Sequence, residues 1–170
     1  MRNIFMFCAI LLLSSCASYQ VSESPELNKN ARWVILPINN QSTTPMAGQQ
    51  AEQILSSVLF NRGVKADLYP SIDGSDLAVV LNDNARLKTA QAWLETQAYD
   101  YVITGTVQEW HYKTGLDGEP AVGVTLELLS ADSGEIIWKS SGGRAGWGRE
   151  SISSAGHKVI DNLVDSLAIN

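Results

Sequence analysis

Apolar residues along this chain fall into segments of two periods, separated by polar and glycine-rich breaks, and their order predicts an α/β fold. Arg32 to Ile38 (Arg-Trp-Val-Ile-Leu-Pro-Ile) is apolar, β-branched and too short for a helix, so it predicts a buried strand that Pro37 closes. Burial on both faces requires layers on both sides. Thr44 and Pro45 then supply an N-cap and a first helical position, and Ala47, Ala51, Ile54, Leu55 and Val58 recur at helical spacing until Gly63. Val64 to Tyr69 predicts a short strand; Leu87, Ala90, Leu94 and Ala98 mark one face of a second helix over 84–98. Tyr101 to Lys113, Val122 to Ser130 and Glu135 to Ser141 are β-rich, with the turn Asp132-Ser133-Gly134 before the last, which predicts an antiparallel meander. Ile152, Ala155, Val159, Ile160, Leu163 and Leu167 form the apolar stripe of a C-terminal helix. The expected order is βαβαβββα: a mixed sheet flanked by helices in one compact α/β domain, residues 31–170.

The first sixteen residues have a different character. Arg2 leads an apolar run from Ile4 to Leu13, too short to span a bilayer, that ends in Leu13-Ser14-Ser15-Cys16. This predicts a bacterial lipoprotein signal over residues 1–15, with Cys16 acylated as the first mature residue. An ordinary signal peptide cut near Ala17 is the other reading, and it leaves the spacing of the cysteine unexplained. One acyl chain gives marginal membrane binding, but bacterial lipoproteins carry several, palmitate among them, at about 0.8 kcal/mol per buried methylene. Ala17 and Ser18 follow the cysteine where inner-membrane retention would place Asp, so the expected location is the periplasmic face of the outer membrane. Residues 17–30 are polar with no apolar period and predict a tether, giving a lipidated cysteine and tether over 16–30. Such a tether reaches at most about 50 Å, so the domain works close to its membrane.

Charge and cysteine content narrow the chemistry. The 18 acids against 12 Lys and Arg give a net charge of -6, and loss of Arg2 with the signal makes it -7. That balance argues against nucleic acid and favours cationic partners. With Cys8 removed and Cys16 acylated, no thiol remains for a disulfide, a metal or nucleophilic catalysis, and no cofactor is expected. Ser153, His157 and Asp161 stand one helical turn apart like a serine triad, but without a nucleophile elbow they read as a solvated face. The glycine stretch 142–148 lacks the Lys-Ser/Thr ending of a phosphate loop. His111 and His157 have no cysteine partners for a metal.

Three segments carry a resemblance. Tyr-Lys-Thr-Gly-Leu-Asp-Gly-Glu-Pro-Ala-Val-Gly-Val (112–124), Gly-Trp-Gly-Arg-Glu-Ser (146–151), and Trp-Val-Ile-Leu-Pro (33–37) with Pro45 and the Ala-Glu-Gln-Ile-Leu helix resemble the PelC family, outer-membrane lipoproteins of Pel exopolysaccharide export, a biofilm polymer system. The likeness runs from about Ala31 to the C-terminus. More loosely, strand-Leu-Pro followed by a helix is similar to CsgG, LpoB and other small periplasmic lipoproteins. The PelC resemblance implies a non-enzymatic homo-oligomeric ring, dodecameric in the family, on the periplasmic side of the outer membrane. Its acidic surface would guide a cationic, amino-sugar-rich polysaccharide toward the β-barrel exporter PelB.

Site residues follow from both lines. Asp117 and Glu119, on the loop between two long strands, are the first candidates for an acidic rim; Asp132 and Glu135, at the opposite end of that hairpin, are the second. The plainer reading is that these are solvated turn residues, and Asp117-Gly118 is a favoured turn pair in itself. Trp147, between Gly146 and Gly148, reads either as an indole presented to lipid, with Arg144 or Arg149 meeting phosphates beside it, or as a core residue under the last helix. In the resemblance it corresponds to an aromatic membrane contact. Trp33, Trp93, Trp110 and Trp138 read as packing residues, with a sugar-stacking role for Trp110 and Tyr112 as the minor reading. The competing function is an LpoB-like activator of a peptidoglycan synthase. A CsgG-like channel subunit would need long alternating lipid-facing strands, which this chain lacks.

Overall fold

The computed structural model describes residues 17–70, 82–115, 118–148 and 150–170. Its six strands are β1 (Ala17–Val21), β2 (Trp33–Asn40), β3 (Ala66–Leu68), β4 (Tyr101–Tyr112), β5 (Pro120–Ser130) and β6 (Ile136–Ala145). The helices are α1 (Ala47–Asn61), α2 (Asp83–Leu94) and α3 (Ile152–Val164). The strands form one mixed sheet in the order β1-β6-β5-β4-β2-β3, with β2 parallel to β3 and β4 and the other neighbours antiparallel. This is the expected α/β domain and meander, with one further strand at its edge.

Alternation along the strands decides which side each residue joins. One sheet face presents Trp33, Ile35, Ile103, Trp110, Val124, Leu126 and Trp138, and α1 and α3 cover it with Ala51, Leu55, Val159 and Leu163. On the other face, Val34, Leu36 and Val102 meet Ala90 of α2. β2 is therefore buried on both sides, as its continuous apolar run requires. Beyond α2, no described residue covers that second face over β5, β6 and β1.

The structure revises five of these expectations. Pro37 does not close β2; the strand runs on to Asn40 through a register shift between Ile35 and Ile38 in its pairing with β4. At the shift the Ile38 amide donates to Glu52 Oε1 (2.9 Å), and Glu52 is itself paired with Arg86 Nη2 of α2 (2.9 Å). A helical carboxylate thus takes up a strand amide that proline disturbed. Thr44 does not cap α1: the N-cap is Met46, in the left-handed conformation at φ 60°, and the Thr44 hydroxyl donates to the Trp110 carbonyl. α2 stops at Leu94, short of the expected Ala98, because a turn returns the chain to Asp100, whose carboxylate accepts the Arg32 amide (2.7 Å).

The last two revisions are linked. Residues 17–30, expected as a tether, are folded against the domain. β1 pairs antiparallel with β6, the Leu27 amide donates to the Ala168 carbonyl (2.8 Å), and Leu27 is buried. Edge pairing uses backbone groups, and of the β1 side chains only Tyr19 packs inward, so no apolar period announces it. The glycines at 142 and 143, expected as loop, lie in β6 for the same reason, held between β5 and β1. A Cβ on Gly142 would sit 2.5 Å from the Tyr19 ring, so the missing side chain is what lets that ring seat.

Candidate functional site

β5 runs between the two ends of the sheet. Its 11 residues separate the two ends of the sheet by about 33 Å. At one end, Pro120 receives the Gly146 amide (2.7 Å), Glu119 lies on the β4–β5 connection, and Ala17 pairs with Arg144. The predicted membrane contact and the first predicted acid therefore share an end with the start of the described chain. At the other end, the β5–β6 turn carries Asp132 and Glu135, both exposed, and Asp100 lies beside it through its carbonyl bond to the Ala131 amide (3.0 Å). The C-cap of α3, Asp165, reaches the same end and pairs with Arg62 (3.4 Å).

Trp147 is 60% exposed, so it is not a core residue under the last helix. Its backbone is tightly held nonetheless. The Trp147 amide donates to Glu150 Oε2 (3.4 Å), the Trp147 carbonyl accepts the Glu150 amide (3.0 Å), and a Cβ on Gly146 would collide with Pro120 at 2.5 Å. Glu150 is the centre of this loop, with a side chain only 10% exposed. It accepts from Lys158 Nζ (2.7 Å), Arg144 Nη2 (3.2 Å) and Ser154 Oγ (3.4 Å). The Lys158 bond first, and Arg144 after it, hold its carboxyl below the ordinary carboxylate range against the opposing effect of burial. Sequence reading missed Glu150, although Glu150, Ser154 and Lys158 recur every fourth residue into α3.

The remaining candidates are placed as follows. Arg144 is turned inward to Glu150, its side chain 17% exposed, rather than outward to phosphate. Glu119 lies 3.9 Å from Lys113 Nζ, so the near-end acid has a cation beside it. Cys16, Asp117 and Arg149 lie outside the described residues. Trp110 is fully buried and donates to Gln50 Oε1 (3.1 Å), which overturns the sugar-stacking reading for it. Tyr112 is exposed, and its hydroxyl accepts the Ile152 amide (3.0 Å) at the start of α3. Trp33 and Trp138 are buried, and Trp93 packs with Tyr69 and Tyr99. His157 is exposed and Asp161 is paired with Arg62 (2.8 Å). Among the described residues no helix is long and apolar enough to cross a membrane.

No protein-family model matches the chain, and no curated relative does. Solved structures do. A PelC dodecamer from Paraburkholderia phytofirmans is 31% identical, covering 91% of this chain and 99% of that one, with a TM-score of 0.77. The chain belongs to the PelC family. A PelC dodecamer with one Leu-to-Met substitution gives the same identity and TM-score and is covered over 100% of its length. Beyond PelC, the lipoprotein GNA1162 from Neisseria meningitidis is 15% identical at a TM-score of 0.51, covering 83% of this chain and 96% of its own, and shares the fold. The C-terminal domain of LpoB from Salmonella enterica is 19% identical at 0.47, covering 71% and 86%.

Proposed function

We propose that this PelC-family chain is a lipoprotein anchored through Cys16 on the periplasmic face of the outer membrane, where it forms a homo-oligomeric ring. The ring guides a cationic exopolysaccharide to a β-barrel exporter and performs no catalysis. The observation that carries the reading is the PelC dodecamer, similar over 91% of this chain and 99% of its own.

The geometry supports a particular orientation. Position 16 immediately precedes β1, whose first residue pairs with Arg144, three residues before the exposed Trp147. Lipid and indole would then hold the same end of the sheet against the bilayer, Trp being a residue of membrane interfaces. Asp100, Asp132, Glu135 and Asp165 lie exposed at the other end, which would face the periplasm. The second-choice acids thus become the better ones, because Glu119 stands at the end of the sheet that would face the membrane. A ring repeating these carboxylates would attract ammonium groups at long range, and such attraction is fast, non-specific and weakened by salt. That suits a moving polymer.

The activator alternative loses its structural basis, since an arm across the periplasm needs a free tether and residues 17–30 are folded onto the sheet and the C-terminus. The reading is tested by neutralising the far-end acids together (Asp100→Asn, Asp132→Asn, Glu135→Gln, Asp165→Asn) and measuring polymer released from cells. Release should fall several-fold in the variant; undiminished release would contradict acidic guidance.

A further inference from the structure

A ring of identical chains needs two different patches on each subunit, one meeting the other on its neighbour. Twelve subunits turn by about 30° each, so the two patches must lie on nearly opposite sides. They must also avoid bringing carboxylates together, because like charges meeting across an interface repel. In a chain of net charge -6, that restriction is severe.

Among the described residues, two surfaces meet it. The first is the outer side of α1. Its only ionisable side chain, Glu52, is buried against Ile38 and Arg86, so the solvent face presents Gln53, Ser57 and Phe60 without any charge. Phe60 is 65% exposed, an aromatic ring with no core to pack in. The other two helices expose Lys88, or His157 and Lys158.

The second surface is the open half of the sheet, on the side away from α1 and α3. Register places Ser18 beside Gly143 and Gly123, and Gln20 beside Ser141 and Thr125. Gln108 Nε2 donates to Thr125 Oγ1 (2.6 Å), which lies 2.8 Å from Ser141 Oγ. This is an uncharged, small-residue floor. The charges at its margins come in opposite signs: Glu127 with Lys139 (2.6 Å) at one, Glu109 and Lys113 at the other. Glycine at 143 leaves room for a helix to approach the backbone, while the Glu109 side chain borders Gly123.

We propose that α1 of one subunit lies across the open face of β5, β6 and β1 of the next, with Phe60 as the anchor, and that this head-to-tail contact closes the ring. Dimensions agree: 15 residues of helix span about 22 Å, and four strands from β4 to β1 span about 14 Å. A buried aromatic anchor within an uncharged surround is how interfaces concentrate their binding energy. The proposal rests on the ring reading and adds which faces make it.

The test places one cysteine on each face of the full-length lipoprotein, Ser57→Cys and Ser141→Cys, and treats membranes with a short bis-maleimide. The double variant should give a ladder of cross-linked species rising toward the complete oligomer, while each single variant stays monomeric on the gel. Dimers from Ser57→Cys alone would show helix meeting helix and overturn the proposal. No ladder from a double variant that still sediments as an oligomer would also overturn it, leaving the ring reading in place. A wild-type lipoprotein that sediments as a monomer would sink both. Gly143→Glu provides a second check, because a Cβ there meets only the Val122 carbonyl at an ordinary 3.6 Å. It should keep the wild-type circular dichroism and lose the oligomer; an intact oligomer would contradict the contact.

Discussion

Ala17 stands directly opposite Arg144 across the β1–β6 ladder. The chain therefore joins the sheet one residue after Cys16 and only three residues, in register, from Trp147. An acyl group on Cys16 would have no slack, and anchor and indole would act as two fixed points on one rigid edge.

If Gly142 makes room for Tyr19, refilling that space should release the edge strand. Gly142→Val should expose residues 17–21 to limited proteolysis and to rapid amide exchange while β4 and β5 stay protected. Unchanged protection of β1 in the variant would show that Tyr19 does not depend on the missing side chain.

Trp147→Ala removes a large apolar group from the surface rather than from the core. Stability should change by no more than about 0.5 kcal/mol, against the roughly 3–5 kcal/mol expected of a core tryptophan. In liposomes carrying brominated lipid, quenching of tryptophan fluorescence should fall sharply in the variant. Equal quenching with and without Trp147 would remove it as a membrane contact.

Glu150 gives a pH-dependent prediction. Its folded pKa lies below the ordinary 4.5, so the carboxylate stabilises the fold above that value, and the contribution disappears as pH falls through the folded pKa. Glu150→Gln should cost about 1.5–3 kcal/mol at pH 7, the range for hydrogen bonds to a charged group. The denaturation midpoints of wild type and variant should converge below about pH 4.5. A gap that stays constant down to pH 3 would mean that charge on Glu150 does not matter.

Glu52 and Arg86 join α1, β2 and α2 at the Pro37 irregularity. Arg86→Leu leaves a buried carboxylate and should cost about 3–5 kcal/mol, whereas the double change Glu52→Leu, Arg86→Leu should cost clearly less than the sum of the two single changes, Glu52→Leu and Arg86→Leu. Chemical denaturation of the four proteins checks it; strict additivity would count against the coupling.

Most of the fold was legible because its signals are local. Strands with Val102, Ile103, Val124 and Leu126, and the stripe Ala155, Val159, Ile160 and Leu163, announce themselves through apolar period. β1 was illegible since an edge strand is held by backbone bonds to β6 and only Tyr19 packs inward. The glycines at 142 and 143 read as loop because their role, admitting a neighbour, belongs to the partner strand and not to their own sequence. The candidate site divides in the same way. Trp147 stood out between glycines, but the inward turn of Arg144 depends on Glu150 and Lys158, which meet it only once α3 has packed. Which acidic pair shares an end with the start of the described chain depends on the pairing of β1 with β6, which no single segment of sequence carries.

The most direct test is the mass of the full-length lipoprotein extracted in mild detergent, corrected for bound detergent by sedimentation or native mass spectrometry. A closed oligomer of about a dozen subunits, following the heterologous closure expected of such rings, is the predicted result. A monomer at every concentration, in detergent and in lipid alike, would contradict it.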